Sequence, residues 1–242
     1  MQLRLRDLIF VKRRSDVALL PPGKVLINTI NAHSYNTAQN DRIFAESLTR
    51  CDYLLPDGVS IVIACRLLHL PNRPEQRVTG WDLFTNDMRK LNQKGGKAMF
   101  VGSSEKVLER IRKKSRTEYP NITVSTYSPP FKDEFSAEED NEIIQAINDT
   151  NPDLLWIGMT APKQEKWIYS HWNELNIHCH TGSIGAVFDY FAGTYPRAPY
   201  SWQSIGLEWL FRLLLNPRKM WRRYIFGNPL FVWNVVKQIR LS

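Results

Sequence analysis

An α/β fold, with a mostly parallel sheet covered by helices on both faces, is predicted by three observations on the sequence. Short apolar stretches of strand length alternate with longer amphipathic ones from Val25 to Thr181. Polar or glycine-containing loops follow those stretches, as they do at the carboxyl ends of parallel strands. The chain of 242 residues is 43% hydrophobic, enough for one large core and too apolar for disorder.

The first strand is expected at Val25–Thr29, followed by the loop or early helical turn of Asn31–Asn36 and a helix over about Thr37–Arg50. A short strand, Tyr53–Leu55, meets the turn Pro56-Asp57-Gly58, which feeds a helix over Val59–Leu68. Lys97–Val101 reads as the next strand, and Gly102-Ser103-Ser104 leads from it into a helix over Glu105–Tyr119. Ile122–Tyr127 is a strand, and Ser136 with Glu139 forms a capping-box pattern at the head of a helix to Asp149. Asp153–Ile157 is a strand and Pro162–Leu175 a helix; a last strand near Ile177–Thr181 ends in Gly182-Ser183-Ile184-Gly185. The chain changes character between Gly193 and Pro199. We therefore expect an α/β core over 1–196 and a basic, aromatic helical appendage over 197–242, with a core that folds without the appendage.

Charge is concentrated at the ends. From Arg197 onward eight Lys or Arg face one acid, Glu208, giving +7 of the formal +8; residues 1–24 carry +4 and the remainder −3. Basic residues interleaved with Trp and Phe suit a phosphate-rich surface or ligand. Cys51, Cys65 and Cys179 are widely spaced, which argues against a disulfide framework or a four-cysteine zinc site. The five histidines are isolated, so no metal centre is expected. The opening residues lack a long apolar run with a small-residue cleavage site, and no uncharged stretch of eighteen apolar residues occurs, so neither a secretory signal nor a membrane span is expected.

Asp57 is the first candidate for chemistry. It stands between a strand and a helix, where a carboxylate is suited to accept a proton from an attacking hydroxyl; the alternative is a helix cap. Thr29 and Asn31, two positions apart, can face the same pocket or form a turn. Gly102 with Ser103, and Gly182 with Ser183 and Gly185, follow apolar strands and can offer free amides to phosphate oxygens; each is also readable as a tight turn. Neither run is a dinucleotide fingerprint or a phosphate loop, which argues against nicotinamide enzymes and nucleoside triphosphatases. Gln164 sits between Lys163 and Glu165 in the first turn of a helix at a strand end. Arg212, Arg218, Arg222 and Arg223 lie among tryptophans and phenylalanines, a combination suited to a diphosphate or a bilayer surface. No nucleic-acid-binding motif accompanies them.

Several segments occur in the order of one family: Thr29-Ile30-Asn31, Leu55-Pro56-Asp57-Gly58-Val59, Arg66-Leu67, Arg77-Val78-Thr79-Gly80-Trp81-Asp82-Leu83, Pro162-Lys163-Gln164-Glu165, Phe188-Asp189, Arg197-Ala198-Pro199 and Gly206-Leu207-Glu208-Trp209-Leu210-Phe211-Arg212. From about Val25 to Arg223 the chain thereby resembles the WecG/TagA/CpsF bacterial glycosyltransferases (glycosyltransferase family 26). The resemblance implies a Rossmann-like core and inverting, metal-independent transfer of a sugar from a UDP-sugar donor to a polyprenyl-diphosphate-linked acceptor. It implies no cofactor, peripheral attachment to the anionic cytoplasmic face of the plasma membrane, and self-association. Carried over by position, Asp57 resembles the base, Thr29 and Asn31 pocket residues, Gln164 a sugar or diphosphate contact, and Arg212, Arg218 and Arg222 the set that closes over the diphosphate. The chain departs from the family pattern at Thr181-Gly182-Ser183-Ile184-Gly185 and Leu68-His69-Leu70, so the donor sugar stays open. Two rival classes are a non-catalytic nucleotide-binding protein at a membrane and a nucleic-acid-binding protein.

Overall fold

A computed structural model of the protein describes residues 3–240, with the side chains of Ser204, Lys219, Ile239 and Arg240 outside the described set. Six strands, β1 (Val25–Ile30), β2 (Tyr53–Pro56), β3 (Gly96–Gly102), β4 (Ile122–Tyr127), β5 (Leu154–Gly158) and β6 (His180–Ser183), form one sheet in the order β2-β1-β6-β5-β3-β4. All five pairings are parallel. This is the α/β, Rossmann-like arrangement expected from the sequence.

Alternate strand residues feed two cores. On one face, Leu26 and Ile30 of β1, Met99 and Val101 of β3, and Leu155 and Ile157 of β5 are buried. Over them pack α1 (Ala32–Ala38), α2 (Arg42–Thr49), α3 (Val59–Leu67), α6 (Ala137–Thr150) and α7 (Lys163–His171). On the other face, Val25, Ile27, Ala98, Phe100 and Trp156 meet α4 (Gly80–Lys94), α5 (Glu105–Glu118) and α8 (Gly185–Ala192). Period-2 alternation thus sets the two-sided burial that parallel sheets require.

Local side chains fix the helix boundaries. The segment expected as a loop or early turn over Asn31–Asn36 is already helical in α1, and the helix expected from Thr37 begins at Arg42 as α2. Asn31 Oδ1 accepts from the amides of His33 and Ser34 to start α1, and Asp41 Oδ1 accepts from Phe44 N to start α2. Thr79 and Asp82 form a reciprocal capping box at the head of α4, and Ser136 and Glu139 form the expected one at α6. The last strand begins at His180, later than expected, because pairing with β1 starts at the Val25–His180 register.

The appendage consists of α9 (Tyr200–Ser204), α10 (Glu208–Leu215), α11 (Pro217–Trp221), a π-helical turn over Arg222–Phe226, and α12 (Gly227–Arg240). Its last helix is part of the core. Phe231 and Val235 are each 5% exposed, and Phe231 meets Tyr35 of α1 edge to face at 5.4 Å between ring centroids. Asn36 Nδ2 donates to Gly227 O at 2.7 Å, Asn234 Nδ2 donates to Asn36 Oδ1, and Gln238 hydrogen-bonds Tyr35 and the Leu5 amide. Removing α12 would bare that buried face of α1.

Candidate active site

The carboxyl ends of β1 and β2 and the appendage enclose a cavity of about 160 Å³. Its lining includes Asn31, Asp57, Gly58, Val59, Arg77, Glu208, Trp209, Arg212, Arg223 and Tyr224. Asp57 stands one residue beyond β2, held by amide hydrogen bonds from its own N–H to the carbonyls of Ile30 and Leu55, both 2.9 Å. One carboxylate oxygen, Oδ1, accepts from Arg77 at 3.1 Å, while Arg77 Nε donates to the Asp57 carbonyl at 2.7 Å. Among the described residues Oδ2 has no protein hydrogen-bond donor, which leaves it available at a cavity wall. Burial raises the Asp57 pKa above the ordinary carboxylate value; Arg77 opposes the rise and Glu208 adds to it.

Arg77 also reaches the appendage. Its Nη2 donates to Glu208 Oε2 at 2.8 Å, and Glu208 Oε1 accepts from Arg212 at 2.7 Å. Burial opposes the Glu208 charge, but Arg212 and Arg77 outweigh it and hold its pKa below the ordinary value. The Arg212 guanidinium lies over the Tyr190 ring at 5.4 Å. Arg223 Nη2 reaches Asn31 Oδ1 at 3.4 Å, and burial, with Arg212 adding to it, lowers its pKa. The Nε atoms of both Arg212 and Arg223 are buried without an acceptor. Unmet guanidinium donors beside a cavity are suited to the oxygens of an anion.

The structure gathers some sequence candidates and separates others. Asp57, Asn31 and Arg212 share the cavity, whereas Thr29, half-buried on β1, is not in its lining. Arg218 and Arg222 are exposed outside it, Arg222 resting against the Trp221 ring. The guanidinium that enters is Arg223, because the π-helical turn beginning at Arg222 departs from the 3.6-residue period on which a sequence reading relies.

Gln164 lies three strand spacings from β2, roughly 14 Å along the sheet edge. It is 4% exposed; its Oε1 accepts from Met159 N and its Nε2 donates to Glu165 Oε1. Gly185 faces Gln164, and an added Cβ would stand 2.9 Å from Oε1, so the Gln164 amide would have to shift. Gly102 and Ser103 turn the chain out of β3 with φ of +110° and +60°. Gly182 and Ser183 are interior: a Cβ at Gly182 would meet the Trp156 ring at 2.7 Å, and Ser183 Oγ donates to Asn28 Oδ1 at 2.7 Å. Arg77 and Glu208 were legible only as parts of quoted segments, with no local signal that they meet.

A cleft at the carboxyl ends of a parallel sheet is where α/β proteins bind their ligands, and its arginines suit an anionic one. Comparison with known sequences narrows it. The sequence model of the Glycosyl transferase WecG/TagA/CpsF family matches residues 13–242, and the chain belongs to that family. It is 30% identical over 214 residues to an N-acetylglucosaminyldiphosphoundecaprenol N-acetyl-beta-D-mannosaminyltransferase of Bacillus subtilis, covering 88% of this chain and 79% of that protein. Proteins of the same description from Bacillus spizizenii and Staphylococcus aureus are 30% and 26% identical, covering 91% and 90% of this chain and 81% and 82% of theirs.

Proposed function

We propose that the protein transfers a sugar from a UDP-sugar to a polyprenyl-diphosphate-linked saccharide, with inversion and without a metal ion, at the cytoplasmic membrane surface. The observation that carries this reading is the pairing of a strand-end carboxylate with a free oxygen, Asp57, and two cavity arginines whose Nε atoms are buried without an acceptor. The names of the relatives specify a lipid-linked diphosphate sugar as acceptor and an N-acetylmannosaminyl group as the sugar moved. An N-acetylmannosaminyl donor therefore heads the panel to be tested.

In a single displacement the acceptor hydroxyl oxygen bonds to the anomeric carbon. The bond from that carbon to the donor diphosphate breaks, and its electron pair leaves with UDP. Asp57 takes the hydroxyl proton, and its raised pKa strengthens it as a base. Arg212 and Arg223 stabilise the negative charge that grows on the diphosphate, the task a divalent cation performs elsewhere. The cavity is smaller than the roughly 300 Å³ or more of a site that buries a whole drug-sized ligand, so it holds the reacting end of the donor.

No helix among the described residues is long and apolar enough to cross a membrane. Outward residues of the appendage, Trp221, Ile225, Phe226, Leu230 and Trp233, are between 39% and 63% exposed beside Arg222 and Lys237, which supports peripheral attachment. Product formation from UDP-sugars with a polyprenyl-diphosphate-linked N-acetylhexosamine tests the reading; absence of transfer from every donor of the panel would overturn it.

A further inference from the structure

Helix α3 presents an apolar face where surface helices are ordinarily charged. Ile61, Val62, Ala64 and Cys65 are its buried side. Its outward positions Val59, Ile63 and Leu67, four residues apart and therefore on one stripe, are 37%, 49% and 63% exposed. The single ionisable residue of the helix outside its cysteine is Arg66, also exposed. By contrast α5 turns Glu105, Lys106, Glu109, Arg110 and Lys113 to solvent. An apolar stripe of this kind gains free energy when it leaves water.

The stripe starts at the active-site cavity, because Val59 lines it together with Asp57. Gly206 abuts Val59 so closely that a Cβ would stand 3.1 Å from Val59 Cγ1. Ile205 beside it is 68% exposed, and Trp209, 36% exposed, lines the cavity. From Val59 the stripe runs about 12 Å to Leu67 at the helical rise of 1.5 Å per residue.

We propose that Val59, Ile63 and Leu67, with Ile205 and Trp209, form a surface that docks on the lipid bilayer, so that the cavity stands at the membrane from which the lipid-linked acceptor enters. The inference rests on the lipid-linked acceptor of the proposed function. The hydrocarbon of such an acceptor stays in the bilayer while its sugar and diphosphate reach toward Asp57, so an apolar surface beside the cavity would bring the two together. Arg66 at the far end of the stripe faces the anionic headgroups that border such a bilayer. A second copy of the chain fits less well, because these five side chains fall far short of the roughly 20–30 residues a side of a stable interface.

The test uses the full chain and the double variant Ile63→Gln, Leu67→Gln, neither residue lining the cavity. Both proteins are assayed on a polyprenyl-diphosphate-linked N-acetylhexosamine in phosphatidylglycerol–phosphatidylethanolamine vesicles and on a short-chain, water-soluble analogue. The variant is expected to lose at least about tenfold in turnover on vesicles, as two lost apolar insertions imply. It is expected to keep its melting temperature and to stay within about twofold on the soluble acceptor, as exposed substitutions do. Co-sedimentation with the same vesicles lacking acceptor should fall in parallel. Parent-like turnover and sedimentation on vesicles would overturn the proposal, as would an altered oligomeric state with vesicle binding unchanged, which would assign the face to a second copy. If the parent transfers nothing to the soluble acceptor, the proposed function fails, while the sedimentation comparison still decides the docking face.

Discussion

Glu208 and Arg77 are 131 positions apart in the chain and 2.8 Å apart in space. Through that contact the first turn of α10 is tied to the strand-end acid Asp57, which shares the same Arg77 nitrogen. The appendage therefore contributes to the electrostatics of the proposed base, after burial and Arg77. Because the Glu208 charge raises the Asp57 pKa, Glu208→Gln should lower it. The acidic limb of the rate against pH should then move to lower pH in the variant. A limb that stays in place or moves upward would contradict the coupling.

Two adjacent arginines should behave differently. Arg223 lines the cavity with a buried, unpartnered Nε, and Arg222 is exposed against Trp221. Replacing Arg223 by Ala should weaken UDP binding by about tenfold or more, the value of a charge-assisted contact, while Arg222→Ala should change it by less than about threefold. Calorimetric titration of UDP into both variants checks the order.

Glu165 carries a second testable charge. It is 1% exposed, one carboxylate oxygen has no partner, and burial pushes its pKa up to about 7. A carboxyl whose folded pKa is raised binds its proton more tightly in the native state, so native stability falls as pH climbs from about 4.5 to 7 and is level above that. Glu165→Gln removes this loss. The variant should gain stability relative to the parent at pH 8, by at most about 3 kcal/mol, with the difference shrinking toward pH 4. Denaturant unfolding at the two pH values measures it.

Transfer should persist in excess EDTA, since Arg77, Arg212 and Arg223 supply positive charge around the cavity. Complete inactivation reversed by one divalent ion would contradict that assignment.

Much of this architecture was legible in the sequence because the physics behind it is local. Apolar stretches such as Lys97–Val101 and Asp153–Ile157 identify buried parallel strands, and the Ser136–Glu139 box marks a helix head. The position of Asp57 at a strand end follows from the same pattern. What stayed hidden depends on distant contacts. No local feature announces that Arg77 bridges Asp57 and Glu208, or that Phe231 and Val235 complete the core beside Tyr35. The sequence reading sets the helix boundary at Thr37, whereas the caps Asn31 and Asp41 start α1 at Ala32 and α2 at Arg42. Arg222 and Arg223 are adjacent and alike in charge, and a π-helical turn has no recognisable sequence mark to tell which of them lines the cavity.

The central claim is that Asp57 takes the acceptor proton in sugar transfer. It is tested most directly by the turnover of Asp57→Asn against the parent, with the active UDP-sugar and a water-soluble diphosphate-linked acceptor. The substitution preserves size and leaves Arg77 its partner Glu208. Turnover is expected to fall by about 10² to 10⁴ while UDP affinity is retained. Turnover within about threefold of the parent would contradict the account, because loss of a general base costs far more than that.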